Sequence, residues 1–363
     1  MDPCLRYCPD LPARIERLRE LYVDRPQDQI FAHMDVETNA VRKFAAKYPP
    51  GYIERPELAE RVAFWDELFA ERAAIFDDSI PSVYLSEMDQ GLYGGIVGGK
   101  VQFMAHPENG WISSMVPPIL EDWGGFSRLT IDPQSPICDF YRRELAAFRE
   151  AGRDKFGIGH FILIDGLNFV FELFGATRTY LELLDSPQQV RAAIDFAYRL
   201  NVEVQQTFFA QVPLLAGGTC SNMVEWIPGR IVSESVDPFH MTSVDYFEEW
   251  GREPVERILG TFDGGVLHIH GNGRHLLEAV STIRGLKAVL LADDLHFPSA
   301  FSILPKLRRR LGDLPVVVKA DFPEFADALD THRLEGGVLY KVLNVPDVET
   351  ANRTMHRVRE YVA

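Results

Sequence analysis

A closed (β/α)8 barrel behind a helical N-terminal extension is the fold this sequence predicts, and three observations point to it. Short apolar runs alternate with amphipathic helical segments through most of the chain, the pattern of a parallel sheet covered by helices. About seven such runs recur at spacings close to those of a barrel. Ionisable residues also gather just after the runs, where alternating β/α folds build their sites. An open doubly wound sheet is the second architecture compatible with this pattern.

The elements follow in order. Residues 11–22 and 56–76 place apolar side chains at i, i+3, i+4 among charges, so both read as helices, with Pro56 suited to a first turn. They define a mostly helical extension over 1–78, packed on a barrel over 79–363. Residues 82–85 form a first short strand. The glycine-rich stretch 91–99 follows, then a strand at 101–103. The stretch lacks the Lys-Ser/Thr of a phosphate loop, so it reads as a mobile turn or lid with Tyr93 as its working side chain.

Downstream, strands are expected at 156–164, 212–216, 266–270, 288–292, 316–319 and 337–342. Helices are expected at 169–174, 187–210, 244–260, 274–283, 299–311, 323–330 and 348–361.

Composition narrows the function. With 37 Lys and Arg against 53 Asp and Glu, the net charge of −16 disfavours nucleic acid and anionic membranes, which need basic patches. The run Lys306 to Arg310 is too short and isolated to change that and reads as a solvated helix face. The four cysteines contain no paired CxxC, which argues against a zinc ribbon or a disulfide framework. The N-terminus has no signal pattern and no stretch reaches membrane-spanning length, so a reducing cytoplasm is the expected location.

The sharpest chemical signal is His268-Ile269-His270-Gly271-Asn272-Gly273. Residues i and i+2 of a strand share a face, so the two imidazoles should project together at a strand's carboxyl end. Such a pair suits a metal or proton exchange, with Asp294, Glu225 or Cys220 as candidates for a third ligand. Other strand ends carry Asp293 and Asp294 with His296, Lys319 with Asp321, and Lys341. Asp321 suits a helix cap as well as a site. Asp165, Asn168, Glu225 and Trp226 read as pocket-wall residues, although Asn168 equally suits an N-cap.

Four stretches resemble the uroporphyrinogen decarboxylase superfamily. They are 129–137 with Asp132-Pro133 and Ser135-Pro136; Ile164-Asp165-Gly166 with Phe174-Gly175 and 184–187; 243–247 with Glu248 and Pro254; and 268–272. The resemblance implies a (β/α)8 barrel, often dimeric, with its site at the carboxyl ends of the strands. In the methyltransferase branch, a His-x-Cys pair on this strand and a Cys near the last strand bind zinc and activate a thiol. His268 matches that histidine, His270 stands where cysteine is expected, and 341–346 holds neither cysteine nor histidine.

In the decarboxylase branch, an Arg-rich N-terminal motif grips carboxylates and an aspartate holds the pyrrole nitrogens. The motif is absent here, and Asp89 is a loose counterpart of the aspartate.

The expectation is therefore a metal-assisted methyltransferase, with Zn2+ on His268 and His270 and with Asp294 either completing the catalytic group or orienting a histidine. Its donor is expected to be a methylated small molecule or a corrinoid carried by a partner protein. The alternatives are a metal-free decarboxylase-like lyase and an inactive ligand-binding barrel.

Overall fold

Backbone hydrogen bonds gather the strands of the computed structural model, which describes residues 4–160 and 166–363, into three sheets. In chain order the strands are β1 (Ile30–Val36), β2 (Gly51–Ile53), β3 (Ser82–Tyr84), β4 (Gln102–His106), β5 (Trp111–Met115), β6 (Gly157–His160) and β7 (Gly218–Ser221). They continue with β8 (Glu225–Pro228), β9 (Val232–Ser235), β10 (Gly265–Ile269), β11 (Leu286–Leu291), β12 (Val316–Asp321) and β13 (Val338–Val345). The main sheet is six-stranded and parallel, in the order β1-β13-β12-β11-β10-β9. A second sheet runs β3-β6-β7-β8, with β8 antiparallel, and a third is the antiparallel set β2-β4-β5.

Alternation along the parallel strands sorts two cores. Phe31, Val266, Ala288, Val317 and Leu339 face one way and pack with the N-terminal helix Leu11–Arg19 and Trp226. Their neighbours Ala32, Leu267, Val289, Val316, Val318 and Tyr340 face the larger core beneath the covering helices. This is the period of two expected of a strand buried on both faces. The first face is called the inner face below.

The ladder does not close into a barrel among the described residues. At the β1 edge, side chains stand where a neighbouring strand would be. Ile30 O accepts from Arg17, Ala32 N–H donates to Asp78 and Met34 N–H to Asp77, while Met34 O accepts from Arg72. Asp78 N–H returns a bond to Ala32 O. The edge is thus satisfied without β3, as buried backbone groups require. Between β7 and β9, Thr219 spans the gap by accepting from Ile231 N–H and donating to Gly229 O.

Three expectations are corrected. Residues 1–78 are not only helical, because Ile30–Val36 is an edge strand of the main sheet. Its seven residues fall between two longer periodic helices and carry His33 and Asp35 on the inner face, which hides the apolar run. The strand expected at 212–216 begins instead at Gly218, after left-handed Ala216 and Gly217 (φ +49° and +78°) have reversed the chain. Residues 91–99 are no lid, since Gln90–Ile96 is a helix with Tyr93 fully buried. Its glycines allow close approach: a Cβ on Gly94 would lie 2.3 Å from Val116 Cγ2.

The covering helices lie near their expected places. The long helix Pro187–Gln211 starts on proline, and Val348–Glu360 starts on Asp347, whose carboxylate accepts from Thr350 N–H. Among the described residues no helix is long and apolar enough to cross a membrane.

Candidate metal centre

Apolar Val266 and Leu267 anchor β10 to the two cores, and the same alternation carries His268 to the inner face. The strand ends there, and His270 projects from the following turn with its ring centroid 5.0 Å from that of His268. The glycines of that turn are required by a neighbour. A Cβ on Gly273 would fall 2.1 Å from Cδ2 of His240, so only glycine lets the two loops meet.

The residue that joins the imidazoles is Asp237, which the sequence reading passed over. It follows β9 in Ser235-Val236-Asp237-Pro238, on a turn held by the Tyr180 hydroxyl, which donates to Pro238 O. Asp237 Oδ1 lies 3.0 Å from His268 Nε2, 3.9 Å from His270 Nε2 and 3.6 Å from His240 Nδ1. Burial pushes its carboxyl up, but His268, then His240 and His270, outweigh that and hold it well below the usual range. Burial keeps His240 largely neutral, with its pKa pulled down to about 4.

Asp294 lies beside the group but faces away from its centre. It accepts from His270 Nδ1–H at 2.8 Å, which leaves the Nε2 lone pair of His270 turned toward Asp237. Burial raises this carboxyl less than His270 lowers it. Asp89, half-buried, lies close enough to His268 and Asp237 to interact with both. Burial lifts it to about 7, against the pull of the Gln90 N–H bond and His268.

One ligand atom each from Asp237, His268 and His270 fit within 4.8 Å of one another. Two imidazoles and a carboxylate are a sound donor set for Zn2+ with one position left open, and also for non-haem iron. The residues therefore fit a divalent metal. In this candidate group the third donor is Asp237, while Asp294, Glu225 and Cys220 lie outside it. Asp294 sits behind His270, the second of the two roles expected of it and the place of a carboxylate that orients a ligating histidine.

Glu225 belongs to a second buried cluster. At φ +66° on β8, it accepts from His33 Nδ1–H at 2.8 Å and lies 3.2 Å from Lys341 Nζ. Arg72 donates to His33 Nε2 at 2.9 Å, which fixes the proton on Nδ1. Burial would raise the Glu225 carboxyl, yet Lys341 and His33 hold it far below the glutamate range. Its contribution to stability is therefore complete above about pH 4.3 and lost as pH falls further. Glu225→Gln should be less stable than the parent at pH 7. Urea titrations should find that gap narrowing steadily below about pH 4.

The remaining expected site residues divide plainly. Trp226 is fully buried, with its indole N–H donating to Leu215 O at 2.7 Å, so it is core and not pocket wall. Tyr93 is likewise core. Asn168 does not cap a helix; it lies within Gly166–Phe174 and donates to Ser235 Oγ at 3.2 Å, just before Asp237. Asp165 lies outside the described residues. Cys220 is buried among apolar side chains, its thiol pushed up to about 12 by burial and Glu225. The cue to Asp237 was an Asp-Pro pair directly after a four-residue strand, too short for periodicity to register.

Neither a family model nor a curated protein matches this sequence. Among solved structures, a methyltransferase from Methanosarcina mazei is similar over 96% of this chain and 98% of that chain. Its TM-score is 0.62 at 14% sequence identity, a likeness that shows the fold.

Proposed function

We propose that the chain is an enzyme that transfers a methyl group between a donor and a small nucleophile bound over His268, His270 and Asp237. The observation that carries this reading is the sharing of one Asp237 oxygen by two imidazoles, one of them oriented by Asp294. The fold's similarity to a methyltransferase supports the reaction class. We also read the two parallel-strand sheets as arcs of one (β/α)8 barrel, because both contribute to the inner core.

A metal held by the three residues would act as a Lewis acid, lowering the pKa of a thiol or hydroxyl so that it is nucleophilic near neutrality. In the transfer, the nucleophile's X–H bond breaks and its electron pair forms the bond to methyl. The donor–methyl bond breaks with its pair remaining on the donor, a corrinoid on a partner protein or a methylated small molecule. Asp89, poised at about 7, is the proton acceptor that the site offers. Asp294 keeps His270 in its working tautomer, and the neutral His240 packs behind Asp237.

Metal analysis of the purified chain, with His268→Ala and His270→Ala beside it, tests this reading. Stoichiometric zinc or iron lost in both variants supports it; the same metal content in all three proteins overturns it. Asp89→Asn should keep the metal but lower kcat/KM by about 100-fold or more, the usual worth of a positioned base. Because Asp89 acts ionised, the parent's rate should rise with pH along an acid limb at or below about pH 7, and the variant should lack that limb.

A second reading, a metal-free lyase acting on a small carboxylic acid, is favoured by the same Asp89. Protonated below about pH 7, it would deliver a proton to a carbanion. That activity would survive chelators, whereas methyl transfer would not.

A further inference from the structure

Two lysines and a histidine meet at one level of the inner face. Register pairs His33 on β1 with Lys341 on β13, and Lys341 with Lys319 on β12. One level below, Phe31, Leu339, Val317, Leu290 and His268 align across the sheet. His270, two residues beyond His268, therefore rises to the level of the two lysines. Only the small Ala292 stands between, its N–H donating to Ile269 O. The lysine row and the histidine pair share one mouth.

Like charges side by side on neighbouring strands repel. Lys341 has its compensation, since Nζ donates to Asn222 O at 2.5 Å and pairs with Glu225 at 3.2 Å. Lys319 has neither a hydrogen bond nor an ion pair among the described residues. The carboxylates that act on it through space are engaged elsewhere: Asp293 with Arg274 at 3.0 Å, Asp35 with Arg72 at 3.5 Å, and Glu108 with His106 at 3.6 Å. Lys319 is exposed near the end of its strand, and desolvation, then Lys341, lower its pKa. An exposed ammonium with no partner, beside a second cation in a protein of net charge −16, is a local positive field that attracts an anion.

We propose that Lys319, backed by Lys341, is an oxyanion subsite that takes a carboxylate of the small molecule reacting at the histidine pair. The inference rests on reading this mouth as a small-molecule site, not on the identity or presence of the metal. Strands β10 and β12 are two spacings apart, about 10 Å, which fits the span of a short organic acid.

Calorimetry on the full chain at low ionic strength tests it with three probes: glutarate, the uncharged glutaramide, and inorganic phosphate. Glutarate should bind and glutaramide should not. Lys319→Met should weaken glutarate by about tenfold or more, the worth of a charge-assisted hydrogen bond, and Lys319→Arg should stay within about threefold of the parent. Removing one of two repelling cations should leave the thermal midpoint of Lys319→Met at or above the parent's, so a folding defect would not mimic the effect. His268→Ala should lose less glutarate affinity than Lys319→Met does.

Equal binding of glutarate and glutaramide, or normal glutarate binding by Lys319→Met, overturns the subsite. Phosphate bound while glutarate is not overturns the assignment to a carboxylate. Glutarate lost in His268→Ala but kept in Lys319→Met moves the anion to the histidines, which overturns the subsite while leaving the metal reading intact. A metal-free chain that still loses glutarate only through Lys319 sinks the metal reading and supports the subsite.

Discussion

Replacing Asp237 by asparagine should abolish the metal binding proposed for this group while leaving the fold intact. The carboxylate offers one oxygen to both imidazoles, at 3.0 and 3.9 Å, and it is the third donor of the group. An amide keeps the shape but removes the charge that offsets a dication, and its nitrogen has no lone pair to give. Groups that only orient a ligating histidine are typically worth about 10- to 100-fold in metal affinity, so a direct ligand should cost at least the upper end of that range. Asp294→Asn provides the comparison. It should weaken affinity by about 10- to 100-fold, because it loosens His270 without removing a donor. Competition with a chromophoric chelator measures both. Metal held by Asp237→Asn and lost by Asp294→Asn would reverse the two roles.

Asp77→Ala should be the most destabilising substitution at the β1 seam. Its carboxylate, fully buried, accepts from Met34 N–H at 2.7 Å, Ser79 N–H at 3.0 Å and Ser79 Oγ at 2.6 Å. It also pairs with Arg14 at 3.1 Å and Arg72 at 3.4 Å. Alanine would leave Arg14, 4% exposed, as a buried cation with one pairing fewer, and would strand a strand-edge N–H. Breaking one side of a buried ion pair costs about 3–5 kcal/mol, a large share of a typical domain's stability. Urea denaturation should resolve the loss. Lys43→Gln, which breaks an exposed pair with Glu67, should change stability by less than about 1 kcal/mol. Equal effects from the two substitutions would mean that the seam is not held by these carboxylates.

The same contrast explains what could be read in the chain. His268 and His270 were legible because alternation is a local rule: two residues on one strand share a face wherever the strand lies. β10 to β13 and the helices between them were legible for the same reason, each being long and apolar enough to carry its own period. Asp237 was not, because β9 is four residues long, and nothing local says that the loop after it ends beside β10. Tyr93 and Trp226 misled because a glycine-rich run and a loop-like composition describe flexibility in isolation. In the fold those glycines admit a neighbour, and the indole fills the inner core.

The alternation of strands and helices from β10 to β13 and the co-directed imidazoles are thus properties of the sequence, since each depends on residues a few positions apart. The choice of Asp237 over Asp294 as the third donor is different in kind. So are the pairing of Glu225 with Lys341 and the carboxylate-filled gap beside β1. Each joins residues tens to hundreds of positions apart, and only the packing of one strand against another brings them within hydrogen-bond reach.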